Sequence, residues 1–284
     1  MQQALLDWSG TRLRDLPWRR TRDPWAILVA ELILQQTQVA RAQERWPQFM
    51  REFPTPTACA AGGAAAVQRA WEGLGYNRRA LRLHRSAVLC TDQHGGAVPD
   101  TLLELRALPG VGPYTARAVL AFAYERDVAV VDTNVGRVLA RVQDTTPALV
   151  EQQALADTLV VTGQGWRWNQ AMLDVGATVC TAKSPACESC PFESVCAWRQ
   201  AGWPSPDPAV GAGGVAGRQS RFEGSDRQGR GRLMAALRRS EVAEDDLPDV
   251  MGWPTQAERA GAVAATLVRD GLVEHREQVF RLAD

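Results

Sequence analysis

The chain has 284 residues, 45% of them hydrophobic, and a formal net charge of zero. That supplies two or three compact units with buried cores, while no apolar run approaches the ~20 residues of a membrane span and the N-terminal MQQALLDWSGTRLRDLPWRR lacks the apolar stretch of a secretory leader. Neutrality gives no bulk attraction to a polyanion, so a nucleic-acid partner must rest on local geometry.

Residues 24 to 200 read as a succession of short helices. Apolar positions recur at helical spacing in PWAILVAELILQQ, AAAVQRAWEGLG, RALRLHRSAVLC, YTARAVLAFAY, NVGRVLARV and NQAMLDVGATVC, with Pro and Gly at the junctions and no sustained strand alternation. The expected class is all-α, with compact packed helices.

The first of these helices carries Glu31 in ILVAELILQQ, and a carboxyl surrounded by apolar side chains is desolvated, which favours the protonated form a general acid needs. Gln36 and Thr37 follow in LQQTQV, and Leu74 and Tyr76 lie in GLGYNRRA. On the residues alone, Gln36 is an exposed helix-end glutamine and Tyr76 a half-buried ring. Leu108-Pro109-Gly110-Val111-Gly112-Pro113-Tyr114 then separates two helical segments. Its glycines permit positive φ and a close approach to the main chain, and the following helix points its first amides the same way, so the stretch is an anion nest or a plain glycine-rich turn. Asp132, in VAVVDTNVGRVLARV, stands where an N-cap belongs, and capping alone accounts for an aspartate there.

Six cysteines in a chain without a leader argue for metal binding or catalysis over a disulfide framework. Cys59 and Cys90 lie in apolar helical text and read as small buried hydrophobes. Cys180, Cys187, Cys190 and Cys196 form Cys-x6-Cys-x2-Cys-x5-Cys. Four thiolates suit zinc or iron-sulfur; with one short hook instead of two, the spacing favours a 4Fe-4S cluster. Lys183, in the first cysteine loop, is the only lysine among 32 basic residues. Arginine can grip phosphate bidentately, although a genome rich in G and C produces the same bias.

From Ala201 to Ser220 the text AGWPSPDPAVGAGGVAGRQS reads as a linker. Beyond it, GRLMAALRRS, DLPDVMGW and TQAERAGAVAATLVRDG are expected helices and LVEHREQVFRL a hairpin, the order of a small winged-helix-like module.

The cysteine pattern after NQAMLDVGATVC, the LPGVG turn between helices, VDTNV and ELILQQTQV together resemble the adenine DNA glycosylase (MutY) family of the helix-hairpin-helix, endonuclease III superfamily, over roughly residues 1 to 200. The resemblance implies a six-helix domain with the helix-hairpin-helix over 18–131, an iron-sulfur cluster domain made of 1–17 and 132–200, the linker at 201–220 and the winged-helix-like module at 221–284. It implies a structural cluster, an essential Asp132 that stabilises an oxocarbenium ion or forms a transient adduct, and a Glu31 that protonates adenine, with Tyr114 and Asn134 orienting them. Pro109, Gly110, Val111 and Gly112 would grip duplex backbone. Gln36 and Tyr76, helped by Thr37 and Leu74, would fill the vacated stack; Arg19 would reach the pocket or a phosphate, and Lys183 a phosphate.

Bifunctional relatives place a lysine where Tyr114 stands, so the resemblance implies base release without efficient strand cleavage. The expected substrate is adenine opposite 8-oxoguanine or guanine in double-stranded DNA. A thymine glycosylase acting on thymine-guanine mismatches, an endonuclease III-like pyrimidine lyase, and a damage-sensing DNA-binding protein without chemistry are the alternatives. The 84 residues after Gln200 are expected to be too few for the sizeable 8-oxoguanine-reading domain of many family members, so strong 8-oxoguanine discrimination is not expected; the tail could touch DNA or another repair protein. A cytoplasmic, nucleoid-associated monomer is expected.

Overall fold

A computed structural model describes residues 1–146, 148–210 and 221–284. The second half of the expected linker, 211–220, lies outside the described residues. Fourteen α-helices are described: α1 Gln2–Ser9, α2 Pro24–Leu34, α3 Val39–Glu52, α4 Pro56–Ala70, α5 Arg78–Gln93, α6 Leu102–Ala107, α7 Pro113–Phe122, α8 Thr133–Gln143, α9 Leu149–Leu159, α10 Gly165–Asp174, α11 Ala197–Gln200, α12 Asp226–Leu237, α13 Leu247–Met251 and α14 Ala257–Arg269. Three strands, β1 Val242–Ala243, β2 Val273–Arg276 and β3 Val279–Leu282, make an antiparallel sheet in the order β1-β3-β2. No described helix is long and apolar enough to cross a membrane.

The helix starts follow local chemistry. Asp23 accepts a hydrogen bond from Trp25 N at 3.0 Å ahead of α2, Thr55 accepts from Ala58 N at 3.1 Å ahead of α4, and Pro occupies the first turn of α2, α4 and α7, where its missing N–H costs nothing. Helix α2 is buried almost all round, from Trp25 to Ile33, which is why its text is nearly uniformly apolar.

The chain packs as two compact units, one of Met1–Ile27, Asp100–Arg106 and the described residues from Val111 to 210, the other of Leu28–Pro99, Ala107–Gly110 and the described residues from 221 on. In the first, Leu5, Val135, Leu139, Trp168, Met172 and Phe192 belong to one core, so α1 closes onto α8 and α10. In the second, Leu233, Met234, Leu237, Trp253, Leu267 and Phe280 pack in one core with Ala64, Ala65 and Leu81.

The all-α expectation holds through residue 200, and the tail has the helix, short strand, two helices and hairpin expected of a winged-helix-like region. Two features differ from the sequence reading. Strand β1 is only two residues long, too short to show any periodicity. The first half of the expected linker is anchored: Asp207 pairs with Arg141 at 2.6 Å, and Trp198 Nε1 donates to Pro204 O at 2.9 Å. Small-residue composition conceals such tethers because one carboxylate suffices to make them.

Candidate active site

In the first unit, Asp132 follows the buried Ala129 and Val130 and caps α8. One carboxylate oxygen accepts from Asn134 N at 2.9 Å and Val135 N at 2.7 Å; the other accepts from Asn134 Nδ2 at 2.8 Å. Asn134 Oδ1 in turn accepts from Arg137 Nη2 at 2.8 Å, and Arg137 donates onward to Gly176 O at 2.6 Å and, through Nε, to Cys180 O at 2.7 Å. A continuous polar chain therefore runs from the half-buried carboxylate to the first cysteine of the cluster loop. Cap geometry fixes the Asp132 side chain against rotation. Burial works against the Arg137 guanidinium and lowers its pKa despite the nearby anionic groups.

Tyr114 is half-buried in the first turn of α7, immediately after the hairpin. Gly110 adopts φ 85°, and a Cβ there would lie 3.1 Å from the side chain of Arg82, so both conformation and space call for glycine. Gly112 has nothing within 4 Å of where its Cβ would be, leaving its α-carbon open to an approaching group. Ser86 Oγ donates to Pro109 O at 2.9 Å and Gln35 Nε2 to Gly110 O at 3.3 Å, which hold the turn in shape. Val111 is buried, so any contact from it to a backbone phosphate comes from its main chain.

The second unit carries Glu31, 5% exposed between Ala30 and Leu32 on α2. Gln36 and Tyr76 are both exposed and both left-handed, at φ 59° and 46°, a conformation non-glycine residues seldom adopt. Thr37 Oγ1 donates to Leu74 O at 3.5 Å. The Leu74 side chain is buried, so what that residue presents at this place is its carbonyl. Glu31 and Asp132 lie in different units.

Cys180, Cys187, Cys190 and Cys196 line one cavity with Val138, Phe192 and Trp198. Among the described residues no three candidate ligands are gathered as a single ion would require, whereas a cubane takes one thiolate at each of four separated irons. Arg141 Nη1 and Phe192 N each point at a sulfur, Cys180 Sγ and Cys190 Sγ, at 3.4 Å, the N–H···S donation that stabilises cluster thiolates. Burial pushes the Cys190 thiol up to about 11 and also raises Cys196, so iron must displace protons to bind there. The residues present fit a 4Fe-4S group. Lys183 is exposed in the loop between the first two cysteines.

Arg19 departs from its expected use. Its two terminal nitrogens grip the fully buried Asp174 at 2.7 and 2.8 Å, and only 7% of its side chain is exposed, which leaves no reach toward a phosphate. Sequence reading missed Arg137, Arg141 and Arg79; Arg79 and Arg141 are buried and Arg137 half-buried, and nothing in the text sets them apart from the exposed arginines elsewhere in the chain.

A family model of the HhH-GPD superfamily of base excision DNA repair proteins matches residues 29–157, and a model of the iron-sulfur binding domain of endonuclease III matches residues 180–196. The adenine DNA glycosylase of Mycolicibacterium smegmatis is 44% identical over 277 residues, spanning 95% of this chain and 91% of its own. That of Mycobacterium tuberculosis strain H37Rv is 42% identical over 276 residues (95% and 88%), and the human adenine DNA glycosylase 41% over 212 residues (69% and 39%). Among solved structures, a thermostable thymine-DNA glycosylase superposes with a TM-score of 0.65 at 28% identity, over 70% of this chain and 94% of that one. A trapped endonuclease III-DNA covalent intermediate shares the fold at a TM-score of 0.63 and 23% identity, over 72% and 95%.

Hairpin, helical fold and cysteine loop define a base excision DNA repair glycosylase of the helix-hairpin-helix class that carries an endonuclease III-type iron-sulfur domain. Within that class the two mycobacterial relatives match nearly the whole chain. The chain belongs to the adenine DNA glycosylase family.

Proposed function

We propose that this chain hydrolyses the N-glycosidic bond of adenine mispaired with 8-oxoguanine or guanine in double-stranded DNA, and that it does so without efficient strand cleavage. Glycosidic cleavage builds positive charge on the sugar and negative charge on the departing base, so it needs an acid at the base and an anion at the sugar. Glu31 suits the first role by its place: a carboxyl buried on an apolar helix is shielded from bulk water, as a group that delivers a proton to the purine nitrogen needs to be. Asp132 suits the second, since three N–H donors fix the orientation of its carboxylate beside the developing oxocarbenium ion. A water then completes the hydrolysis, and Asn134 and Tyr114 orient the reacting groups.

The hairpin from Pro109 to Gly112 offers main-chain amides to the duplex backbone, and the unobstructed Gly112 supports that reading. Gln36 and Tyr76 fill the space left when adenine leaves the stack. When bound, the cluster cross-links the 180–196 loop and takes no part in hydrolysis. Lys183 lies in that exposed loop, and no other lysine is present to form a Schiff base with the sugar.

The observation that carries the proposal is the contrast between the two carboxylates, one sunk in an apolar helix and one pinned at a helix N-terminus. The test is single-turnover release from duplexes bearing adenine, thymine or an oxidised pyrimidine, scored before and after hot alkali. Adenine release that needs alkali to break the strand is expected. Asp132→Asn should lower the rate by about 10²–10³-fold while keeping the cap that holds α8. Release of thymine, efficient borohydride trapping, or full activity in Asp132→Asn would each overturn the reading.

A further inference from the structure

Arg79 is a charged residue 5% exposed on α5. The four N–H of its two terminal nitrogens are shared among six acceptors drawn from the end of α2 and two turns: Leu32 O at 2.9 Å, Ile33 O at 2.7 Å and Gln35 O, then Thr37 Oγ1 at 3.1 Å, Leu74 O at 2.9 Å and Gly75 O at 3.1 Å. The first set are carbonyls at the end of α2, which lack donors from within the helix. The second belong to the turns that carry Gln36 and Tyr76. The same guanidinium lies 5.4 Å from the Trp71 ring centre and 5.6 Å from that of Tyr76, and Trp71 Nε1 donates to Gly75 O at 3.1 Å.

Helix capping alone would not gather these acceptors, because four of the six lie beyond α2. What they share is proximity to two exposed side chains whose backbones are left-handed, Gln36 at φ 59° and Tyr76 at φ 46°. Such conformations persist only where the surroundings over-determine them. Here one planar fork fastens the residue before Gln36, the residue after it and the residue before Tyr76, and the Tyr76 ring rests against it. Burial lowers the Arg79 pKa to about 10, which leaves the side chain charged at neutral pH. A lysine could not span the same set, since its ammonium has three donors on one atom and no plane to stack.

We infer that Arg79 is a positioning residue for base extrusion: it locks the Gln35–Thr37 and Leu74–Tyr76 turns together so that Gln36 and Tyr76 enter the DNA stack as one preset wedge. This rests on the reading of those two side chains as the wedge. A preset wedge avoids ordering two loops at the moment of flipping, so its loss falls on unstacking and leaves the backbone grip alone.

The test uses the full-length holoenzyme and a duplex with 2-aminopurine in place of the target adenine. The pre-release fluorescence rise reports unstacking, and binding and single-turnover release are measured alongside. Tyr76→Ala and Gln36→Ala establish the wedge first; if both leave rise and release unchanged, the underlying reading fails and the inference with it. Given that effect, Arg79→Lys should cut the rise and the release rate together, by about tenfold or more, with duplex affinity within about twofold. Combined with Tyr76→Ala it should add little, because the two residues act as a unit. An unchanged rise in Arg79→Lys, or additive losses in the pair, overturns the inference while leaving the wedge in place.

Should Arg79→Lys fail to fold, judged by cluster colour and Tm, Thr37→Val removes one acceptor of the fork and is read without DNA. Amide exchange across residues 73–77 should then speed by about tenfold, with Thr37→Ser restoring the slow rate. Unaltered exchange in Thr37→Val overturns the link between the turns.

Discussion

Asp174 holds the N-terminal segment to the rest of its unit through two arginines. It has no exposed side-chain surface, and it accepts from Arg19 at 2.7 and 2.8 Å, from Arg14 Nε at 2.6 Å and from Arg14 N at 2.8 Å. Burial pushes its carboxyl up, but the Arg19 and Arg14 donors outweigh that and leave it below the ordinary carboxylate value. A depressed folded-state pKa stabilises the fold fully above the unfolded pKa of about 3.9, and the contribution is lost as pH falls through the lower folded value. Asp174→Asn strands the buried Arg19 guanidinium, 7% exposed, while the partly exposed Arg14 can turn to water, so the cost is about 3–5 kcal/mol from the buried pair. We expect a large drop in Tm at pH 7 that narrows only in strong acid, followed by thermal melts across an acid series. Equal melting of the two proteins at neutral pH would show the pair to be dispensable. Arg19 stands in DLPWRR with nothing in the text to tell a phosphate ligand from a buried tether; its partner is 155 residues away.

At the scale of elements, the hairpin separates two demands that a glycine can meet. Gly110 needs its positive φ and lacks room for a methyl beside Arg82; Gly112 has ordinary dihedrals and empty space around it. Gly110→Ala is therefore a folding defect, costing about 1–3 kcal/mol. Gly112→Ala should leave Tm unchanged and weaken duplex binding, since its methyl stands where a phosphate would approach the main chain. Affinity should fall alike for mismatched and matched duplexes, because backbone contacts carry no sequence information. Melting curves and binding isotherms at one fixed salt concentration check the pair; normal binding by a well-folded Gly112→Ala would remove the hairpin from the interface.

Elements were also where the text was most legible. Helical periodicity located α2, α4, α5, α7, α8 and α10, and four cysteines at one short and two longer spacings located the cluster. The cap at Asp132 could be read from VDTNV, but the relay through Asn134 and Arg137 to Cys180 could not. It depends on the chain returning at Gly176 and Cys180, and side-chain partners 39 and 43 residues apart leave no periodic trace. The Arg79 clamp escaped for the same reason: its acceptors are mostly main-chain carbonyls, which every residue possesses.

For the whole molecule, the sequence reading set residues 221–284 apart as a module behind a linker, and composition supports a boundary there. Packing tells a different story for that segment. Leu233, Met234, Leu237, Trp253 and Leu267 are each no more than 6% exposed, and they share a core with Ala64 and Ala65 of α4 and Leu81 of α5. Arg238 Nε donates to Gln68 O at 2.9 Å and Arg238 Nη2 to Asn77 Oδ1 at 2.7 Å, which fastens the tail beside the turn that bears Tyr76. The small residues of AAGGAAAV, which carry little hydrophobic signal of their own, form the seat for the larger side chains. Removing the tail would uncover that seat and leave Gln68, fully buried, facing water. Truncation exposes Ala64, Ala65 and Leu81 of the seat; burial of a leucine alone is worth about 1.5–3 kcal/mol, a sizeable part of the ~5–15 kcal/mol that holds a domain folded. A chain ending at Val210 should therefore express poorly or melt far below the full-length protein, with loss of the unit that carries Glu31. Expression, Tm and adenine release of the two forms decide it: a truncated protein that keeps its Tm within a few degrees and its release rate would make the tail a tethered accessory, and the shared core a contact of no energetic weight.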